Sequence, residues 1–262
     1  MKNKKAIIGV LIFVFGTAFV VSQIISNKKI TSEIPGLGTN SISTTNATGT
    51  PVTLVAATYD TSAQTLKRLG FASITDVEKL SDGKKNNDTK VQELKKELAI
   101  LDTSTNDIEI IKNSFFIAVN LDQLGQKDTA IKQYEYVLTK QSNHPTAINN
   151  LAVIYTAKGN YPKAEVYMKQ LIALAPSESA HYTNLADVYR AFMKDKKSEI
   201  PALIQKGIDN NADKVSLTLY LADYYKQEGD FTKSVEWYKK ALVLKPTSEE
   251  IKEALSVVEN KL

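Results

Sequence analysis

The side chains best suited to acid–base or metal chemistry in this sequence are two histidines, His144 and His181. A shared metal site would need further nitrogen, sulfur or oxygen ligands at suitable spacing. The chain has no cysteine, and no carboxylates are spaced to complete such a site. Both histidines stand close to turns between helical segments, so the sequence predicts surface histidines at helix ends.

Other catalytic patterns are absent from the sequence. No GxGxxG, GxxxxGK[ST], GxSxG or HExxH string occurs. Carboxylates are abundant, but they alternate with lysines, as in KKELA and EEIKE, which is typical of charge pairs on helix surfaces. We therefore expect no enzymatic activity, no cofactor and no metal. One alternative stays open, a hydrolase that uses carboxylates within residues 60–105.

The charge distribution argues against a nucleic-acid-binding protein. Five basic residues and one acidic residue fall in the first 59 positions, and the other 203 residues carry 28 basic and 28 acidic side chains. The pI near 8.9 is therefore a property of the N-terminal segment. Phosphate binding requires clustered positive charge, and no basic run stands apart from acidic neighbours.

The first 29 residues have the composition of a transmembrane signal-anchor. Residues 6–27 contain no charge and are flanked by lysines on both sides. About 20 apolar residues in a helix span a bilayer core of about 30 Å. A cleaved signal peptide is the alternative, with Val20-Val21-Ser22 as a weak cleavage site. The N-terminal lysine excess predicts a cytoplasmic N-terminus and an extracytoplasmic C-terminal domain.

Two further segments precede the most regular part of the chain. Residues 30–59 are rich in Ser, Thr, Asn and Gly, which predicts a flexible linker. Residues 60–110 show helical spacing of apolar residues. The first part of this range is predicted to form one helix or two short helices. An amphipathic helix follows, with its apolar stripe at Val91, Leu94, Leu98 and Leu101.

A sequence pattern of about 34 residues recurs in the second half of the chain. LAVIYTAKGNYPKAEVYMKQLIALAP (151–176) and LADYYKQEGDFTKSVEWYKKALVLKP (221–246) are offset by 70 residues. That offset leaves room for one further unit with two extra residues, and KDKKS in residues 184–208 accommodates them. Extending the period backwards gives four units: 111–144, 145–178, 179–214 and 215–248.

Each unit has the signals of a helical hairpin. Leu, Ala and Tyr recur on one face of the first helix, which predicts that Tyr155, Tyr189 and Tyr225 pack in the core. Gly159 suits a helix C-terminus with positive φ, and Asn160 can cap the second helix. A proline such as Pro176 then stops that helix. Gly229, Asp230 and Pro246 repeat these signals.

These residues resemble the tetratricopeptide repeat, whose period and Leu-Gly/Ala-x-x-Tyr…Gly…Ala…Pro signature they share. An unrelated helical bundle is the alternative. The resemblance implies an all-α fold, a right-handed superhelix of helix hairpins, following the N-terminal transmembrane helix and the linker. It also implies a concave groove that binds a protein or peptide. The implied groove residues are Phe115, Val119, Asp122, Asn149, Val153, Thr156, Thr183, Asp187, Arg190, Leu219, Asp223 and Lys226.

Some members of the resembling family clamp a partner's terminal carboxylate with lysine, arginine and asparagine. This chain has Asn150 and Asn184 at two of those positions. The other clamp positions hold uncharged residues instead: Phe115, Val119, Ala180, Ser216 and Tyr220. The resemblance therefore argues against a carboxylate clamp.

The end of the chain is predicted to close the stack. Residues 249–262 form one helix whose apolar stripe is Ile251, Leu255, Val258 and Leu262. The last hairpin of a solenoid exposes an apolar edge, which a half-polar helix can cover. We predict this capping role for residues 249–262, and the same role at the other end for the helices of residues 60–101.

The functional hypothesis from the sequence is a membrane-anchored scaffold or adaptor. It would bind peptide or protein partners through its repeat groove, in cell-envelope assembly or secretion. The alternative is a structural subunit of an envelope complex that self-associates through an exposed repeat edge.

Overall fold

The structure, a computed structural model, describes residues 62–210 and 213–262, together with 44–45 and 51–52. The predicted membrane anchor (1–29) lies outside the described residues, as does most of the predicted linker (30–59). Within the linker, strands β1 (Thr44–Thr45) and β2 (Pro51–Val52) pair antiparallel, which the sequence analysis did not predict. Among the described residues, no helix combines the length and apolarity needed to cross a membrane.

From residue 62 onward the described chain is helical. It forms twelve α-helices and one 3-10 helix (Lys194–Glu199) that precedes α9. The α-helices are α1 (Ser62–Leu69), α2 (Ile74–Glu78), α3 (Lys85–Thr103), α4 (Asp107–Gln123), α5 (Lys127–Lys140), α6 (Pro145–Ala157), α7 (Tyr161–Leu174), α8 (Ser179–Phe192), α9 (Ile200–Asp209), α10 (Lys214–Gln227), α11 (Phe231–Leu244) and α12 (Glu249–Glu259).

Eight of these helices form four hairpins: α4–α5, α6–α7, α8–α9 and α10–α11. From α3 to α12, each helix packs against the next one in sequence, so the hairpins stack in chain order. The predicted start of the first unit at residue 111 falls inside α4, which begins at Asp107. The reason is a cap: the Asn106 side chain accepts hydrogen bonds from the backbone N–H of Ile108 and Glu109, at 2.9 and 3.2 Å.

The predicted hairpin signals act as expected at the turn between α6 and α7. Gly159 has φ of 73°, a conformation that glycine adopts without steric cost. The Asn160 side chain then accepts a hydrogen bond from the backbone N–H of Lys163 and caps α7. Asp230 caps α11 in the same way. The sequence alone was therefore sufficient to predict this turn.

The core follows the repeat. Ala152, Ala186 and Ala222 are buried where the helices cross, and Tyr155 and Tyr189 are buried beside them. Tyr225, the third tyrosine predicted to be in the core, is only half-buried. Its neighbour Tyr224 takes the buried position, and the Tyr224 hydroxyl donates to the carbonyl of Lys197 in the 3-10 helix.

The helices at the two ends follow the predicted stripes, with one exception at the C-terminal end. The α3 stripe is buried throughout, at Val91, Leu94, Leu98 and Leu101. At the start of α2, Ile74 is exposed. In the C-terminal stripe, Ile251, Leu255 and Val258 are buried, but Leu262 is 72% exposed. The prediction for Leu262 was wrong because α12 ends at Glu259, so the last residues leave the helical register.

The third hairpin departs most from the others. Its second helix, α9, has 10 residues, whereas α5, α7 and α11 each have 14. The KDKKS insertion is the 3-10 helix that leads into α9. Gly207 of α9 is buried against the next hairpin. A Cβ at this position would lie 2.7 Å from Cδ1 of Leu217 and 3.0 Å from the Tyr182 ring.

We predict that Gly207→Ala destabilises the protein. Alanine ordinarily stabilises a helix interior relative to glycine, by about 1 kcal/mol. Here the added methyl group meets Leu217 and Tyr182, both fully buried, so we expect a net loss of about 1–3 kcal/mol from overpacking. Chemical denaturation measures the change, with exposed Lys206→Ala as the control. A Gly207→Ala protein as stable as wild type would contradict this packing.

Candidate functional site

The twelve residues of the predicted groove lie on the first helices of the four hairpins, and we call them the first-helix face. The structure places three on each of α4, α6, α8 and α10. None of the twelve is buried; Val153 and Asp223 are exposed and the other ten are partly exposed. A partner can therefore reach every helix of the set.

Two members of the first-helix face are joined directly. The Arg190 guanidinium donates to Oδ1 of Asp187 at 2.8 Å and to Oε1 of Gln227 at 2.7 Å. Tyr220 donates to the same Asp187 oxygen at 2.8 Å. Because Tyr220 and Gln227 are on α10, these four residues tie α8 to α10, and we call them the Asp187 cluster. Burial and the Asp187 carboxylate raise the pKa of the Tyr220 hydroxyl well above its usual range.

Other members of the face are held by residues outside it. The Asp223 carboxylate accepts a hydrogen bond of 2.6 Å from the Tyr238 hydroxyl of α11. The Phe115 ring stacks on His144 with centroids 4.9 Å apart. Asp122 forms an ion pair with Lys127 at the start of α5. These contacts connect neighbouring helices, so the side chains serve the fold as well as the surface.

Four members are better placed to meet a partner: Asn149, Val153, Leu219 and Lys226. Among the described residues, no hydrogen bond or ion pair engages their side chains. Val153 is a valine 36% exposed near the middle of α6. Sequence reasoning missed the participation of Tyr220 and Gln227. Tyr220 lies 33 residues after Asp187, close to one repeat period, and that spacing was the available signal.

One of the two asparagines at clamp positions, Asn150, makes a contact within the fold. Asn150 donates its side-chain amide to the hydroxyl of Tyr134, at 2.8 Å. Tyr134 is fully buried in α5, so Asn150 is committed to the contact between two hairpins.

The two histidines lie at the beginnings of helices, His144 at the cap of α6 and His181 in the first turn of α8. His144 caps α6 by accepting the backbone N–H of Ala147 at Nδ1, at 3.2 Å. Burial lowers the pKa of both His144 and His181, so each favours the neutral form. Within residues 62–210 and 213–262, no group of three or more His, Cys, Asp or Glu side chains is placed to hold a metal ion.

A buried carboxylate joins the second and third hairpins. Glu165 of α7 is 8% exposed and accepts hydrogen bonds from the Tyr189 hydroxyl at 2.7 Å and from Lys196 Nζ at 3.1 Å. Lys169 pairs with it at 2.6 Å. Burial by itself would raise the pKa of Glu165, but the hydrogen bonds from Lys169, Tyr189 and Lys196 lower it to about 2. The 3-10 insertion is thus fixed to the preceding hairpin through Lys196.

Comparison with known proteins identifies the repeats. Two family models described as the tetratricopeptide repeat match residues 123–187 and 221–248. The first range covers α5, α6, α7 and part of α8, and the second covers part of α10 and all of α11. Over these residues the chain is similar to the tetratricopeptide repeat. The interval between the matches contains α9, the shortened helix of the third hairpin.

Two similar proteins complete the comparison. A TPR repeat-containing protein of Methanocaldococcus jannaschii is 26% identical over 180 residues, covering 65% of this chain and 31% of that protein. The chain thus spans about a third of the length of this relative. The solved structure of MamA 41-end from Desulfovibrio magneticus RS-1 superposes with a TM-score of 0.45 and 16% identity, over 67% of this chain and 97% of that one.

We predict that Glu165→Gln destabilises the protein at neutral pH by about 2 kcal/mol, because charge-assisted hydrogen bonds are lost. The folded-state pKa lies below the unfolded value of about 4.5, so the stabilisation is complete above that pH. It declines as the pH falls from about 4.5 to about 2.

Denaturation of wild type and Glu165→Gln at several pH values measures the difference. Glu250→Gln on the exposed surface of α12 is the matched control and should change stability by less than about 0.5 kcal/mol. A constant difference between wild type and Glu165→Gln from pH 7 to pH 2 would contradict the assigned ionisation.

Proposed function

We propose that this protein is a non-enzymatic scaffold that binds a protein or peptide partner on the first-helix face. The observation that carries the proposal is the row of partly exposed side chains along four successive first helices, in a chain with tetratricopeptide repeats. Stacked helical repeats present extended surfaces of this kind to partners. The Asp187 cluster supports the proposal, because it fixes the spacing of α8 and α10 before a partner arrives.

The same proposal places the repeats outside the cytoplasm, tethered to a membrane by residues 6–27. The support is the 22-residue uncharged segment and its flanking lysines. Confinement to a membrane raises the effective concentration of an attached binding module, so modest affinity for each partner is sufficient. We propose cell-envelope assembly or secretion as the setting, since such a module would act on envelope proteins.

If a partner binds the first-helix face, substitutions at two exposed valines of the same hairpin should affect binding differently. Val153→Asp on α6 alters the face, whereas Val166→Asp on α7 alters the second helix and is the matched control. We expect Val153→Asp to weaken partner binding by about tenfold or more, because a charge replaces an apolar contact. Val166→Asp should bind as wild type does.

The measurement is quantitative crosslinking in cells that express the full chain, followed by mass spectrometry of captured proteins. Circular dichroism establishes that both variants remain folded. A partner set that Val153→Asp and Val166→Asp retain equally would refute binding at this face.

The proposed orientation is tested separately with single cysteines, since the natural chain has none. Asn143→Cys lies in the exposed turn between α5 and α6, and Asn3→Cys keeps the N-terminal lysines intact. A membrane-impermeant maleimide added to intact cells should label Asn143→Cys and leave Asn3→Cys unlabelled until lysis. Labelling of Asn3→Cys alone in intact cells would reverse the orientation.

A further inference from the structure

A cleft lies between α7 and α9. These are the second helices of their hairpins, whereas the first-helix face lies on the first helices. The volume of the cleft is about 410 Å³, within the range of sites that accept a side chain or a small ligand. The wall on the α7 side is Lys169, Ile172, Ala173 and Pro176, and the wall on the α9 side is Leu203, Lys206 and Asn210. We call it the α7–α9 cleft.

The repeat register explains why the cleft exists. Leu203 stands where the flanking hairpins carry Tyr167 and Trp237, once the two-residue insertion is counted. Both aromatic side chains are partly buried and pack against the hydrophobic clusters of adjacent hairpins. In the third hairpin the smaller leucine leaves that space unfilled. The cleft therefore lies where the neighbouring hairpins have an aromatic side chain and the third hairpin has a leucine.

The charges around the cleft are mostly positive. Lys206 has no ion-pair partner among the described residues, and it is exposed at the α9 wall. Lys169 pairs with Glu165, and Lys196 pairs with both Glu165 and Glu199, so these two ammonium groups are balanced by two carboxylates outside the cleft. No carboxylate lines the cleft itself. An occupant should therefore present an apolar side chain next to acidic groups.

The α12 helix carries that combination on its exposed surface. Val257 is 54% exposed, and Glu250 and Glu253 precede it by seven and four residues, on the same side of the helix. Neither glutamate has an ion-pair partner in the described part of the chain. The buried side of α12 already packs on α11, so the exposed side remains available.

We propose that α12 of a second copy of this chain docks into the α7–α9 cleft, with Val257 inserted and Glu250 and Glu253 facing Lys206 and Lys169. The same chain cannot make the contact, because its α12 packs on α11 while the cleft is formed by α7 and α9. The two surfaces differ, so the association is head-to-tail and can continue along a row of molecules. This proposal does not depend on the first-helix face.

Crosslinking of the full chain in membranes tests the contact. One population carries Ala173→Cys in the cleft and the other carries Ser256→Cys beside Val257; the natural chain contributes no cysteine. A short bismaleimide should join the two populations into a covalent dimer, and each population alone should give little product. A chain with both cysteines should give a ladder of higher multimers.

Two variants test whether the crosslink between the two populations depends on the cleft and on α12. Leu203→Tyr fills it with the residue type that the second hairpin uses at the equivalent position, so the fold should be preserved. Glu253→Lys reverses one acidic group of α12. Each should reduce the mixed crosslink by about tenfold, the change expected from losing one well-buried contact at an interface.

Thermal unfolding checks that Leu203→Tyr remains as stable as wild type, and Leu203→Ile serves as a second cleft variant that leaves the space open. A mixed crosslink no stronger than that of either population alone would overturn the proposal. So would a crosslink that persists unchanged with Leu203→Tyr, which would indicate that the copies meet elsewhere.

Discussion

The structure depends on one constraint: a single helical hairpin of this sequence cannot bury its own apolar surface. Ala152, Ala186 and Ala222 allow the helices to cross closely, but the larger side chains of each hairpin fill spaces in the next one. The core accordingly extends through the stack as three neighbouring clusters. Stability in such an array is a sum of nearest-neighbour contacts, so both ends need covering. The α3 and α12 helices provide that cover.

Polar contacts at the junctions add specificity to this packing. Tyrosine hydroxyls recur as donors between hairpins, from Tyr155 to Glu135 and from Tyr189 to Glu165. Such bonds require a defined spacing and rotation, whereas apolar contacts tolerate small shifts. Burial, together with the Glu135 carboxylate, raises the pKa of Tyr155 to about 12, so its hydroxyl remains a donor at physiological pH.

The features that recur in several hairpins could be predicted from the sequence, whereas the contacts that occur in only one hairpin could not. The period, the glycine turn at Gly159 and the Asn160 cap follow from local rules that act within a few residues. The Asp187 cluster and the Glu165 network join residues 24 to 37 positions apart through side chains that differ between the units. Their formation depends on how two hairpins are oriented, which composition and spacing do not specify. The α7–α9 cleft was missed for a related reason: it arises from a residue that is smaller than its equivalents.

The Asp187 cluster joins first helices of the stack, whereas the α7–α9 cleft lies between second helices, so the third hairpin differs on its two sides. Hydrogen bonds hold α8 and α10 at a fixed distance on one side. On the other side α9 is four residues shorter than the equivalent helices, about 6 Å of missing helix. The third hairpin is therefore tied to the next one by polar contacts on one side and leaves a space between helices on the other. A substitution on the first side acts on the spacing of the hairpins, whereas one on the second side acts on the volume of the cleft.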